Sequence, residues 1–194
     1  MIITLEKCDT LTIIHEYETV ESTVLTYLNY VEVTMDEMEW VIPAALKILM
    51  YIDSMKGRFE KVAKSLIRAL KILRRMPFNT HTNLSTLVEL SNLLSGISVY
   101  GEHRRVVVVG TLLLEECMLK PFPSILLHKV FKFKLILNMV FILSVCDEKD
   151  KADQWEKRAF EALESTDHHQ EALEYAKILA RMAGMYYRYF KKDK

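Results

Sequence analysis

Glycine and proline are scarce, with five and four residues in a chain of 194. That is well under the roughly 12% the two usually supply, which leaves too little turn chemistry for an all-β fold. Cysteine is sparse as well. Cys8, Cys117 and Cys146 lie far apart and form no CxxC pair, which argues against a disulfide scaffold or a zinc ribbon and fits a reducing cytoplasm. Neither charge is in excess, since 26 Lys and Arg balance 26 Asp and Glu, so a whole-surface nucleic-acid binder is disfavoured. The most apolar stretch, Leu135 to Cys146, falls short of the ~20 residues that a bilayer span needs, and the first residues lack the pattern of an export signal. The expected location is cytoplasmic, away from membranes. No GxSxG, P-loop, GxGxxG or HExxH pattern occurs. No catalytic residue, metal or cofactor is therefore expected.

Apolar periodicity is what the chain does have. Hydrophobic residues make up 51% of it, enough to bury a sizeable core. Thr34-Met35-Asp36-Glu37 reads as a capping box, predicting a helix from there to Gly57, with Pro43 tolerated because it falls early. From Arg58 to Arg75 the residues Phe59, Val62, Leu66, Leu70 and Leu73 recur at spacings of three and four, which puts them on one helix face. Further helices are predicted over Leu84–Ser98, Glu102–Met118, Ser124–Cys146, Asp150–Glu164 and Gln170–Phe190. Val106 to Val109 also suits a buried strand by propensity.

The segment Arg58 to Leu73 aligns with three other stretches of the chain. Val62 falls with Val20, Val106 and Trp155; Leu66 with Val24, Gly110 and Ala159; Ile67 with Leu25, Thr111 and Phe160; Leu70 with Leu28, Leu114 and Leu163. Either these are merely amphipathic helices slid into register, or a helix pair recurs every 42 to 49 residues. The second reading predicts an all-α chain, 1–194, folded as a single right-handed superhelix of antiparallel helix pairs, an α-solenoid. The pairs would span about 1–33, 34–76, 84–119 and 124–165, with a partial unit over 168–194.

Ile48, Tyr51, Gly57-Arg58-Phe59-Glu60, Ala63 and Ala69-Leu70 resemble a tetratricopeptide (TPR) repeat, although the usual pitch there is 34 residues. Ala176, Leu179-Ala180 and Tyr186-Tyr187 look like the first helix of another unit. Leu135-Ile136-Leu137-Asn138, Cys146-Asp147-Glu148-Lys149-Asp150 and Tyr186-Tyr187-Arg188-Tyr189-Phe190-Lys191-Lys192-Asp193 are similar to the C-terminal effector region of Rgg/MutR-type transcriptional regulators. The resemblance covers about Leu84 to Lys194. It implies a TPR-like domain that binds short signalling peptides and dimerises behind a helix-turn-helix segment, and none is expected among the residues ahead of Leu84 in this sequence.

Three features bear on binding. Met1 to Glu39 holds nine acidic residues and one basic, whereas Lys56 to Arg75 holds eight basic and one acidic. Lys61, Lys64, Arg68, Lys71 and Arg75 form a stripe opposite the apolar face. It either grips phosphates or an acidic partner, or it is a solvated face or one covering the acidic first repeat. Asn138 stands inside an apolar run, so its amide needs a polar partner. Either it makes an interhelical hydrogen bond, or it lines a groove with Met139 and Ile142 and holds a peptide backbone, as the resemblance implies. His168-His169 beside Asp167 is weak as a metal site, because adjacent side chains on a helix diverge by about 100°.

The expected function is a non-enzymatic peptide- or protein-binding repeat domain. Its expected partners are a short peptide or a partner protein and a second copy of itself, with no direct nucleic-acid contact. Met182, Met185, Tyr186 and Phe190, left without a following helix, are the expected dimer surface. The competing readings are a TPR-like scaffold or chaperone-type adaptor without a peptide signal, and an enzyme built in a helical bundle.

Overall fold

The computed structural model describes residues 16–34, 41–77, 81–100, 104–121, 126–164 and 180. Among them the chain is all-helical and contains no strand. The helices are α1 (Tyr17–Thr34), α2 (Ile42–Met55), α3 (Phe59–Leu73), α4 (His81–Tyr100), α5 (Arg104–Met118), α6 (Leu126–Val145) and α7 (Lys149–Glu164). Val106 to Val109 is helical, because burial of Val107, Leu113 and Leu114 along one face of α5 overrides the β propensity of the valines. No helix among the described residues is long and apolar enough to cross a membrane.

One predicted boundary is wrong. Thr34 ends α1 instead of opening the next helix, and α2 begins at Ile42 with Pro43 in its first turn. A start at Thr34 would have set Pro43 deep in the helix, whereas the first turn needs no N–H from it. The remaining capping-box residues, the helix predicted over 170–190 apart from the helical Ala180, His168-His169, Cys8 and the expected C-terminal dimer surface lie outside the described residues.

Two three-residue turns share one geometry. At the end of α2 the Arg58 N–H donates to the Asp53 carbonyl at 2.7 Å and the Gly57 N–H to that of Ser54 at 3.1 Å. At the end of α6 the Glu148 N–H donates to Leu143 at 2.9 Å and the Asp147 N–H to Ser144 at 3.3 Å. Both are Schellman caps, with Gly57 at φ +68° and Asp147 at φ +62° in the left-handed region.

Each turn reverses the chain, and α2 packs most extensively on α3, as α6 does on α7. Beyond these pairs, α4 lies against α2 and α6, and α5 against α3. A single core of buried side chains runs from Val20 on α1 to Ala159 on α7. Close approach of α5 to α4 depends on Gly110, where a Cβ would come within 2.8 Å of Leu94 Cδ1.

Burial sorts the aligned positions. Val24, Leu66, Gly110 and Ala159 are all buried, as are Leu28, Leu70 and Leu114. The column of Leu25, Ile67, Thr111 and Phe160 is not a core column. Leu25 and Phe160 are exposed, and only Thr111 is buried, its hydroxyl donating to the Val107 carbonyl at 2.7 Å. Each of these residues follows a core residue directly and so points about 100° away from it. Phe59, expected on the core face of α3, is 54% exposed at the helix's first residue.

Candidate functional site

Four of the five stripe cations line one groove. Lys64, Arg68 and Lys71 recur at spacings of four and three along α3, which stacks them on its outer face, and Arg75, two residues past the end of α3, continues the row. With Glu60, Ala63, Ile67, Ile72 and Val106 they bound an open groove of about 690 Å³. Lys61 is exposed on the same helix but outside the groove. The floor is aliphatic and the walls are cationic, with Glu60 the single acidic group among the lining residues.

The groove needs α5 held beside α3, and polar contacts at the C-terminal end of α3 do this. Arg74 Nη1 donates to Glu116 Oε2 at 2.9 Å. Lys120 Nζ donates to the carbonyls of Met76 at 2.7 Å and Leu73 at 3.4 Å, which places a cation at the C-terminal end of α3 where the helix dipole favours it. Partial burial lowers the Lys120 pKa. Lys71, in the last turn of α3, sits where the helix dipole favours a cation.

The second predicted site is not an open groove. Asn138 is 2% exposed, and Met139 and Ile142 are fully buried in the core. Asn138 Nδ2 donates to Ser91 Oγ at 2.6 Å and to Asn92 Oδ1 at 2.9 Å, both on α4. Ser91 in turn donates to the Val88 carbonyl at 2.7 Å, and the Ser95 hydroxyl donates to the Ser91 carbonyl at 2.8 Å. In this conformation none of the three residues is available to a peptide. Asn138 takes the interhelical alternative, bridging α6 to α4.

The attraction expected between the acidic first segment and the basic second one is realised in a charged cluster at the α2–α3 turn. Glu21 on α1 receives the Lys56 ammonium at 2.6 Å and the Arg58 guanidinium at 2.8 Å, and Arg58 Nε lies 2.7 Å from Asp53 Oδ1. Arg58 thus joins α1 to the α2–α3 turn. Arg58 and Lys56 hold the Glu21 carboxyl at a pKa of about 2, whereas burial pushes that of Asp53 up despite its cationic neighbours. The opposite charge balances of the first two segments were the available signal, and the turn geometry selects which residues realise it. No group of three or more His, Cys, Asp or Glu able to hold a metal ion occurs among the described residues.

Compared with protein-family models, curated proteins and solved structures, the chain matches none. The likeness to Rgg-type effector regions and to TPR repeats therefore rests on the quoted residues alone.

Proposed function

We propose that the chain is a non-enzymatic helical-repeat binding module that takes an acidic, partly apolar segment of a peptide or partner protein in the α3 groove. The observation that carries this reading is the groove itself, where four exposed cations flank an aliphatic floor of Ala63, Ile67 and Val106. Such a lining suits carboxylates at the rim and small apolar side chains below. Stacking of α2, α4 and α6, and of α3 on α5, supports a solenoid of helix pairs, here proposed to be a right-handed superhelix. Buried columns that recur in α1, α3, α5 and α7 favour the same arrangement.

On the strength of the resemblance, this module would be the ligand-sensing and dimerisation region of a cytoplasmic bacterial transcriptional regulator. A TPR-like scaffold without a peptide signal would use the same groove for a protein partner. Native mass spectrometry of the protein incubated with the small-peptide fraction of its own source cells distinguishes the two, a bound short peptide being expected of the sensor and not of the scaffold.

Fluorescence anisotropy with a labelled peptide of alternating Glu and Leu tests the groove. Binding should weaken by roughly 10-fold or more when Lys64 and Lys71 are both replaced by Glu, and it should fall as salt rises. Equal affinity for a Lys/Leu peptide would overturn the reading.

A further inference from the structure

The outward face of α5 is more apolar than a solvated helix requires. Val108, Val109 and Leu112 are 50%, 42% and 52% exposed and lie side by side, away from the core face of Val107, Leu113 and Leu114. Exposed Arg105 stands at one end of this strip and exposed Glu116 at the other. The charges also run against the helix dipole. Arg104 and Arg105 open α5 and Glu115 and Glu116 close it, with no acidic residue in the first turn and no basic residue in the last. Each arrangement is locally unfavourable. Among the described residues the Arg74–Glu116 ion pair offsets it at the C-terminal end, and both partners there remain partly exposed.

A second α5 laid antiparallel supplies what each end lacks. Arg105 and Val109 are one helical turn apart, as are Leu112 and Glu116, so the face keeps the same register when it is reversed. Arg105 then meets Glu116 of the second copy, Val109 meets Leu112 of the second copy, and the two dipoles oppose one another. A face that is basic at one end, apolar in the middle and acidic at the other is self-complementary about a two-fold axis. We propose that α5 is a homodimerisation face on which a second copy of this chain packs its own α5 antiparallel. None of these residues lines the α3 groove, although the Glu116 pair with Arg74 also helps hold α5 beside α3, and the proposal does not depend on what the groove binds. A helix of 15 residues is only about 22 Å long, so the interface is smaller than a standard one and the dimer is weak and concentration-dependent.

Sedimentation equilibrium from micromolar to submillimolar concentration provides the test, using the full chain, Arg105→Glu and Glu116→Arg. The unaltered chain should dimerise. Each variant alone places like charges opposite each other at both ends, and its dimer dissociation constant should rise roughly 10-fold or more. An equimolar mixture of the two variants restores opposite charges at both ends, so it should regain the original affinity as a heterodimer. Circular dichroism checks that each variant remains helical. Should either lose its fold, Leu112→Ser, at an exposed position, should weaken the dimer while leaving the helices intact. A chain that stays monomeric throughout, as it would if this face served a different protein, overturns the proposal. So does a dimer that survives either charge reversal, or a mixture that fails to recover.

Discussion

Asn138 on α6 donates a side-chain N–H to the Ser91 hydroxyl of α4 across 2.6 Å, while that hydroxyl donates to the Val88 carbonyl. The one amide in the most apolar stretch of the chain is therefore a clasp between two helices that share a large contact. Asn138→Ala should lower stability by about 1–3 kcal/mol, through the lost hydrogen bonds and the cavity left behind. Chemical denaturation measures this. Peptide affinity of the folded fraction, read by anisotropy, should not change, because the nearest candidate groove lies on α3.

The paired turns offer a second check. Gly57 has open space where a Cβ would stand, so Gly57→Ala acts through backbone strain alone at φ +68° and should cost about 1 kcal/mol. Asp147 holds the same left-handed position without being glycine. Its 3.8 Å contact with Lys149 is almost fully exposed and contributes little. Asp147→Gly should therefore stabilise the protein by about 0.5–1 kcal/mol, visible as a higher melting temperature.

Much of this fold was legible because amphipathic spacing reports burial directly. Leu66 and Leu70 on α3 and Leu114 on α5 stand in the core as their period requires. Thr34 misled because a capping sequence is local, whereas the helix start was decided by Pro43 and by packing of the α2 face. The stripe on α3 was legible as a pattern, but the groove was not, since it also needs Val106 brought over from α5. Asn138 carried two readings until α4 supplied Ser91. The exposed valines of α5 were invisible for a related reason: Val108 and Val109 have the same chemistry as Val107, and only the position of the neighbouring helices tells them apart.

Thiol chemistry separates the two described cysteines. Cys117 is buried, and desolvation pushes its pKa up to about 12. Cys146, half-buried, is also raised, again chiefly by burial. At neutral pH Cys117 should resist iodoacetamide until the protein unfolds, and Cys146 should alkylate slowly without denaturant. Peptide mapping by mass spectrometry resolves the two sites. Rapid labelling of Cys117 in the folded protein would show that α5 does not pack as described.

Acid should weaken the tie between α1 and the α2–α3 turn. Arg58, with Lys56, holds Glu21 at a pKa of about 2, against 4.5 for a free side chain. A carboxyl depressed in this way contributes stability that is complete above pH 4.5 and is lost as the pH falls through that value towards 2. Asp53 works in the opposite sense. Burial raises its pKa above 3.8, so protonation favours the fold, and that contribution is complete below 3.8 and fades as the pH rises past the raised value. The large shift on Glu21 dominates, and solvent around its partly exposed pair reduces the net effect to about 1–2 kcal/mol. Glu21→Gln removes the carboxyl that titrates in this window. The stability difference between the unaltered chain and Glu21→Gln, from urea unfolding, should be largest near neutral pH and shrink steadily between pH 4.5 and 2. A difference independent of pH across that range would mean that Glu21 does not hold the two cations in solution.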